Sequence, residues 1–124
     1  MKKLAKAIRK DGWDRRLEDA VSLMSSCLPT DVVLCDVAAV CDAIKAMLSI
    51  AVKPKGRDGK EFLESLKLEP VNRFAARRGD VGVFFFEGRY LAGVVSSAGF
   101  VVRMPHGVSI FSITDIEQAY KIGA

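Results

Sequence analysis

The sequence predicts an α+β fold in which N-terminal helices pack on a small, curved antiparallel sheet or half-barrel. Three observations lead there. Apolar side chains recur at helical spacing through the first half of the chain. From Asp80 onward the apolar period shortens to that of extended chain. The later apolar runs are short and are joined by Glu87-Gly88, Ser97-Ala98-Gly99 and Pro105-His106-Gly107. Helices first and strands after differ from an alternating βαβ order, and short strands linked by tight turns build an antiparallel sheet.

Residues 1–12 read as a basic N-terminal arm carrying Lys2, Lys3, Lys6, Arg9 and Lys10, with Leu4 and Ile8 four residues apart. That stripe is too narrow to hold a helix on the domain against the entropy of ordering it. The reading therefore gives the arm to a partner protein, with Lys2, Lys3 and Lys6 as partner contacts. Residues 13–124 form a single domain. Its first helix spans 14–26, with Leu17, Ala20, Val21 and Met24 inward and Trp13 stapling its start or packing on a neighbour. Pro29 interrupts. A second helix over residues 32–52 carries Val37, Val40, Cys41, Ile44 and Leu48 on one stripe and is the central, most buried one. After a charged loop at 53–59, Asp58 caps a short third helix through Leu66 that faces Phe62, Leu63 and Leu66 inward. Pro70 and Asn72 approach the strands, read at 80–87, 89–96, 99–104, 108–111 and 118–122, with one helical turn at 112–116. The hairpin Asp80–Val95 and the central helix are the two most apolar segments, so they pack on each other, with Phe85 and Val40 as candidates for the contact.

A chain of 124 residues is long enough for one core without covalent staples. No apolar run reaches the ~18 residues of a membrane span, and the basic start is not followed by the apolar stretch of a secretory leader. Cys27, Cys35 and Cys41 are odd in number and clustered, which suits a reducing compartment. With one histidine and no paired-cysteine spacing, neither a metal nor another cofactor is expected. The net charge of +4 is uneven: residues 1–16 hold seven Lys and Arg against two Asp, leaving the remainder near neutral. Without interleaved aromatics this favours an acidic protein neighbour over nucleic acid. A small regulator that binds nucleic acid through the arm is the lesser reading.

Five positions invite a chemical role. Cys35 lies near the start of the central helix, where the macrodipole lowers a thiol pKa; it reads either as a nucleophile or as a small buried hydrophobe. His106 lies in a turn and reads as a surface residue. Asp80 opens a strand and reads as a bonding partner for local backbone. Arg77 and Arg78 either hold that corner or face a partner.

Gly79-Asp80-Val81, Phe85-Phe86 and Gly93-Val94 resemble the β-hairpin of the NlpC-type cell-wall peptidases, which are papain-like cysteine hydrolases. There a Gly-Asp-Leu/Val-x-Phe-Phe strand leads into a His-Val-Gly-Ile-Tyr strand whose histidine is the catalytic base. The resemblance implies a papain-like fold with Cys35 at the nucleophile position and Leu91 at the histidine position. Leucine accepts no proton, and Cys35-Asp36 reverses the family's Asp-Cys order. A wider set is carried by Trp13, Arg16, Leu17, Asp42-Ala43-Ile44, Arg77-Arg78-Gly79-Asp80-Val81, Gly93-Val94-Val95, Gly107-Val108 and Ala119-Tyr120-Lys121-Ile122-Gly123. It is similar to small phage and prophage proteins encoded among tail genes and related to these peptidases. That resemblance implies a virion protein, assembled in the host cytoplasm: a non-catalytic structural component of a bacteriophage tail tip or baseplate that docks to other tail proteins. The alternative it implies is an active cysteine peptidase or amidase that cleaves peptidoglycan during phage entry.

Overall fold

Among the described residues, three helices, α1 (Trp13–Ser26), α2 (Cys35–Leu48) and α3 (Gly59–Ser65), precede or flank a six-stranded sheet. The computed structural model describes residues 4, 7–26 and 34–123. Lys2, Lys3, Lys6, Cys27, Pro29 and the expected helix start at Val32 lie outside the described residues.

The strands are β1 (Glu69–Val71), β2 (Val81–Phe86), β3 (Arg89–Ser96), β4 (Gly99–Met104), β5 (Gly107–Phe111) and β6 (Gln118–Lys121). They lie in the order β1-β6-β2-β3-β4-β5, and every pairing is antiparallel. The expected α+β class holds, with an open sheet. β1 is the element that sequence reasoning passed over. It has three residues with Pro70 in the middle, and a residue without an N–H is tolerated at a sheet edge, which is where β1 lies.

α2 is shorter than the apolar run around it. Ser49 takes a left-handed conformation, and its N–H closes on the Lys45 carbonyl, ending the helix. α3 starts as expected, because the Asp58 carboxylate accepts the Glu61 N–H. The β2–β3 turn, Glu87-Gly88, has positive φ at both residues, the geometry whose twist matches a two-residue hairpin.

Period-two alternation divides the sheet's side chains between two cores. On one face Val81, Val83, Ala92, Val94 and Val101 meet the helices, where Leu17, Val37, Val40, Ile44, Met47, Phe62 and Leu63 are buried. The hairpin therefore packs on α2, with Val40 1% exposed. Phe85 does not join this contact; it is 58% exposed and stacks edge-on against Tyr90. On the other face Phe84, Leu91, Val95, Phe100, Val102, Met104 and Ile116 form a second core.

The second face is strongly curved. β2 and β5 are separated by two strands, which on a flat sheet is roughly 14 Å. Yet the Phe84 and Phe86 rings lie 4.8 and 5.5 Å from that of Phe111. Gly82 and Gly93, paired across β2 and β3, make the curl feasible. A Cβ on Gly82 would sit 2.8 Å from the Ile116 side chain, and one on Gly93 2.6 Å from the Val101 carbonyl and 2.8 Å from the Phe100 ring. The strand glycine thus marks a close backbone approach.

Residues 4 and 7–12 change the reading of the arm. Leu4 is fully buried in the main core, whereas Ile8 is 80% exposed, so the two do not share a stripe. The Lys10 N–H donates to the Met47 carbonyl at the end of α2. The stretch is held by its own domain through Leu4 and Arg9, not by a partner alone. The balance expected from Leu4 and Ile8 omitted the buried guanidinium beside them.

Candidate functional site

Two places gather the residues singled out above: the N-terminus of α2, with Cys35, and the corner Arg77–Asp80.

Cys35 is the first residue of α2, and Leu34 before it is left-handed and gives no side-chain cap. The half-buried thiol donates to the Arg103 carbonyl at 3.5 Å, so the bond uses its proton. Burial and, second, the neighbouring Asp36 charge push the thiol above its ordinary value of 9.0; the Arg103 and Arg89 charges pull the other way and do not prevail. The helix N-terminus does not give the low-pKa thiol that a nucleophile needs. Cys41 is buried deeper in the same helix and is pushed up to about 11.

No base comes from β3. Leu91 packs in the second core with Phe84 and Phe100, on the sheet face opposite α2. Even an imidazole at position 91 would point away from the helix that carries Cys35. The residue on the helix side is Ala92, whose N–H donates to Asp36 Oδ2 at 2.8 Å. His106 is exposed in the β4–β5 turn, as expected.

Asp36 is what ties this corner together. It is 2% exposed and bonds the β3 backbone, while its other oxygen lies 3.9 Å from the exposed Arg89 guanidinium. Gly59 completes the junction: a Cβ there would sit 2.4 Å from the Ala92 nitrogen, so the start of α3 rests directly on β3. Burial raises the Asp36 pKa above 3.8, against the Ala92 bond and the Arg89 charge. A carboxyl whose folded pKa exceeds its unfolded value adds stability below the unfolded pKa and loses that share as pH rises through the folded one. Asp36→Asn keeps an acceptor for Ala92 and removes the titration. Its stability relative to wild type should therefore improve between pH 3 and pH 7, read from urea midpoints. Asp36→Ala, which orphans the Ala92 N–H, should cost about 1–3 kcal/mol. A midpoint for Asp36→Asn that falls relative to wild type as pH rises would show a carboxylate stabilised by its charge.

Cys35 and Arg103 also line a groove of about 650 Å³ between α1 and α2, with Leu23, Met24, Ala39 and Asp42. Arg103, 7% exposed, was missed by sequence reasoning although it is a lone charge in an apolar strand; its guanidinium donates to the Met104 carbonyl.

The second place is built around Arg9. Its Nε donates to the Ile122 carbonyl at 2.8 Å, one terminal nitrogen lies 3.5 Å from Asp80 Oδ1, and the guanidinium carbon stands 4.3 Å from the Trp13 ring centre. Asp80 Oδ2 accepts the Arg77 N–H at 2.8 Å, the local backbone role expected of it. Gly79 has φ +93, and a Cβ would meet Arg9 at 2.7 Å and Trp13 at 2.8 Å. Burial raises the Asp80 pKa, opposed by the Arg77 N–H and the Arg9 and Lys121 charges. Arg78 lies 3.7 Å from both Asp14 and Glu18 of α1, so it holds the corner. Arg77 projects an exposed side chain. Among the described residues, no group of three or more His, Cys, Asp or Glu is placed to hold a metal ion.

A family model described as a domain of unknown function, DUF6950, matches residues 51–122, and the chain belongs to that family. The match runs from the loop before α3 through β6. No curated protein matches the chain.

Proposed function

We propose that this member of the DUF6950 family is a non-catalytic structural component of a bacteriophage tail tip or baseplate, a papain-like, NlpC-type scaffold used to dock other tail proteins. The observation that carries the non-catalytic part is the Cys35 thiol, which spends its proton on the Arg103 carbonyl while position 91 faces the opposite core. A positioned general base is typically worth ~10²–10⁴ in rate, and a thiol raised above 9.0 is scarcely ionised at neutral pH. A kept core with an unsuited nucleophile fits binding better than turnover. The tail assignment rests on the sequence resemblance across residues 13–123.

The alternative is a cysteine peptidase or amidase acting on peptidoglycan. One observation favours it: Cys35 begins a helix and lines a groove of about 650 Å³. Incubation with peptidoglycan fragments separates the two. The expected result is no product beyond that of a Cys35→Ser control, together with detection of the chain at fixed stoichiometry in purified phage particles. Turnover abolished by Cys35→Ser would establish the alternative, and particles without the chain would remove the tail assignment.

A further inference from the structure

We propose that the cleft between the start of α1 and the Arg77–Asp80 corner binds an acidic peptide segment of a partner protein, with a carboxylate held by Arg77 and Lys121 beside the Trp13 ring. This names the kind of partner for the docking role above and rests on that reading.

The cleft encloses about 650 Å³. Its floor is fixed, since Arg9 and Asp80 are an ion pair with side chains only 13% and 9% exposed, and Arg9 is tied to Ile122. Arg78 is engaged by Asp14 and Glu18. Two cations lining the cleft remain: Arg77 and Lys121 have no ion-pair partner among the described residues. The Arg77 backbone is held by Asp80, so its side chain leaves from a fixed point. Lys121 is half-buried on β6, and its charge is felt at Asp80. Glu69, opposite Lys121 across the β1–β6 ladder, is exposed and forms no ion pair with it.

The chemistry of the walls selects the ligand. Trp13 and Val71 are apolar surface next to the two cations, which suits an acidic side chain flanked by apolar ones. Asp14 and Asp80 neutralise Arg78 and Arg9 in the same cleft, so the two cations left over match a single carboxylate and not a run of phosphates, and a peptide is favoured over nucleic acid.

Trp13 is the chain's one tryptophan, so its fluorescence reports on this cleft directly. The probe is a synthetic peptide, Gly-Leu-Glu-Asp-Leu-Gly with blocked ends, titrated against the full chain beside the isosteric Gln-Asn peptide and a twelve-nucleotide oligothymidine. The acidic peptide should give a saturable change that weakens with salt. Arg77→Gln, and Arg77→Gln with Lys121→Gln, should each reduce affinity about tenfold or more while melting as wild type does. Equal binding of the Gln-Asn peptide, unchanged affinity in the folded double variant, or preference for the oligonucleotide would each overturn the proposal. Peptide binding together with Cys35-dependent hydrolysis would keep this cleft and refute the non-catalytic reading. The absence of both would refute the cleft and leave that reading in place.

Discussion

Phe100→Ala is expected to destabilise the fold by about 3–5 kcal/mol, the range for removing a buried aromatic ring. Phe100 is fully buried and packs edge-to-face on Phe84 with ring centres 5.4 Å apart. Its ring occupies the space that Gly93 leaves open on β3. Truncation would open a cavity in the smaller core, where the curl of the sheet limits collapse because Phe84, Phe86 and Phe111 already meet across it. A domain is stable by only ~5–15 kcal/mol, so this loss is a large share. Urea unfolding followed by Trp13 fluorescence measures it. A loss under about 1 kcal/mol would mean that the second core is loosely packed and that the curl is not set by these rings.

Arg9→Ala should cost about 3–5 kcal/mol, the penalty for removing one partner of a buried ion pair. The variant loses the bond to Ile122 and leaves Asp80, 7% exposed, without its closest opposite charge. The double variant Arg9→Ala, Asp80→Asn should recover part of the loss, because the stranded charge is removed while an acceptor for the Arg77 N–H is kept. A loss within ~0.5 kcal/mol, as for an ordinary surface pair, would return residues 7–12 to the status of a loosely attached arm.

Arg9 also shows where the sequence stops being informative. As one of five cations in the first ten residues it read as part of an arm given to a partner, and nothing local marks it as the one that folds back. Its partners lie 71 and 113 positions away, at Asp80 and Ile122. The closest signal was Gly79, a corner glycine whose missing Cβ makes room for the guanidinium and Trp13. The helices and strands β2 to β6 were legible because apolar periodicity and turn residues are local properties. β1 was not, since three residues around a proline have no periodicity to read. Leu91 could be matched to a histidine position by the motif, but the face it occupies depends on strand register, and a one-residue difference exchanges the two cores. Cys35 was correctly placed at a helix start. Burial, then the charge at the next residue, and the Arg103 carbonyl 68 positions away decide its chemistry.

The pH dependence of Cys35 alkylation tests the central claim most directly. In a Cys27→Ser background, Cys41 is the remaining competitor; it is buried, with a pKa of about 11. Modification at each pH is assigned to Cys35 or Cys41 by peptide mass. If the thiol is held protonated against the Arg103 carbonyl, its reactivity is low at pH 7 and is still climbing with pH at pH 9.0. A Cys35 that already reacts at its plateau rate by pH 7 would be an activated thiolate, and the non-catalytic account would be contradicted.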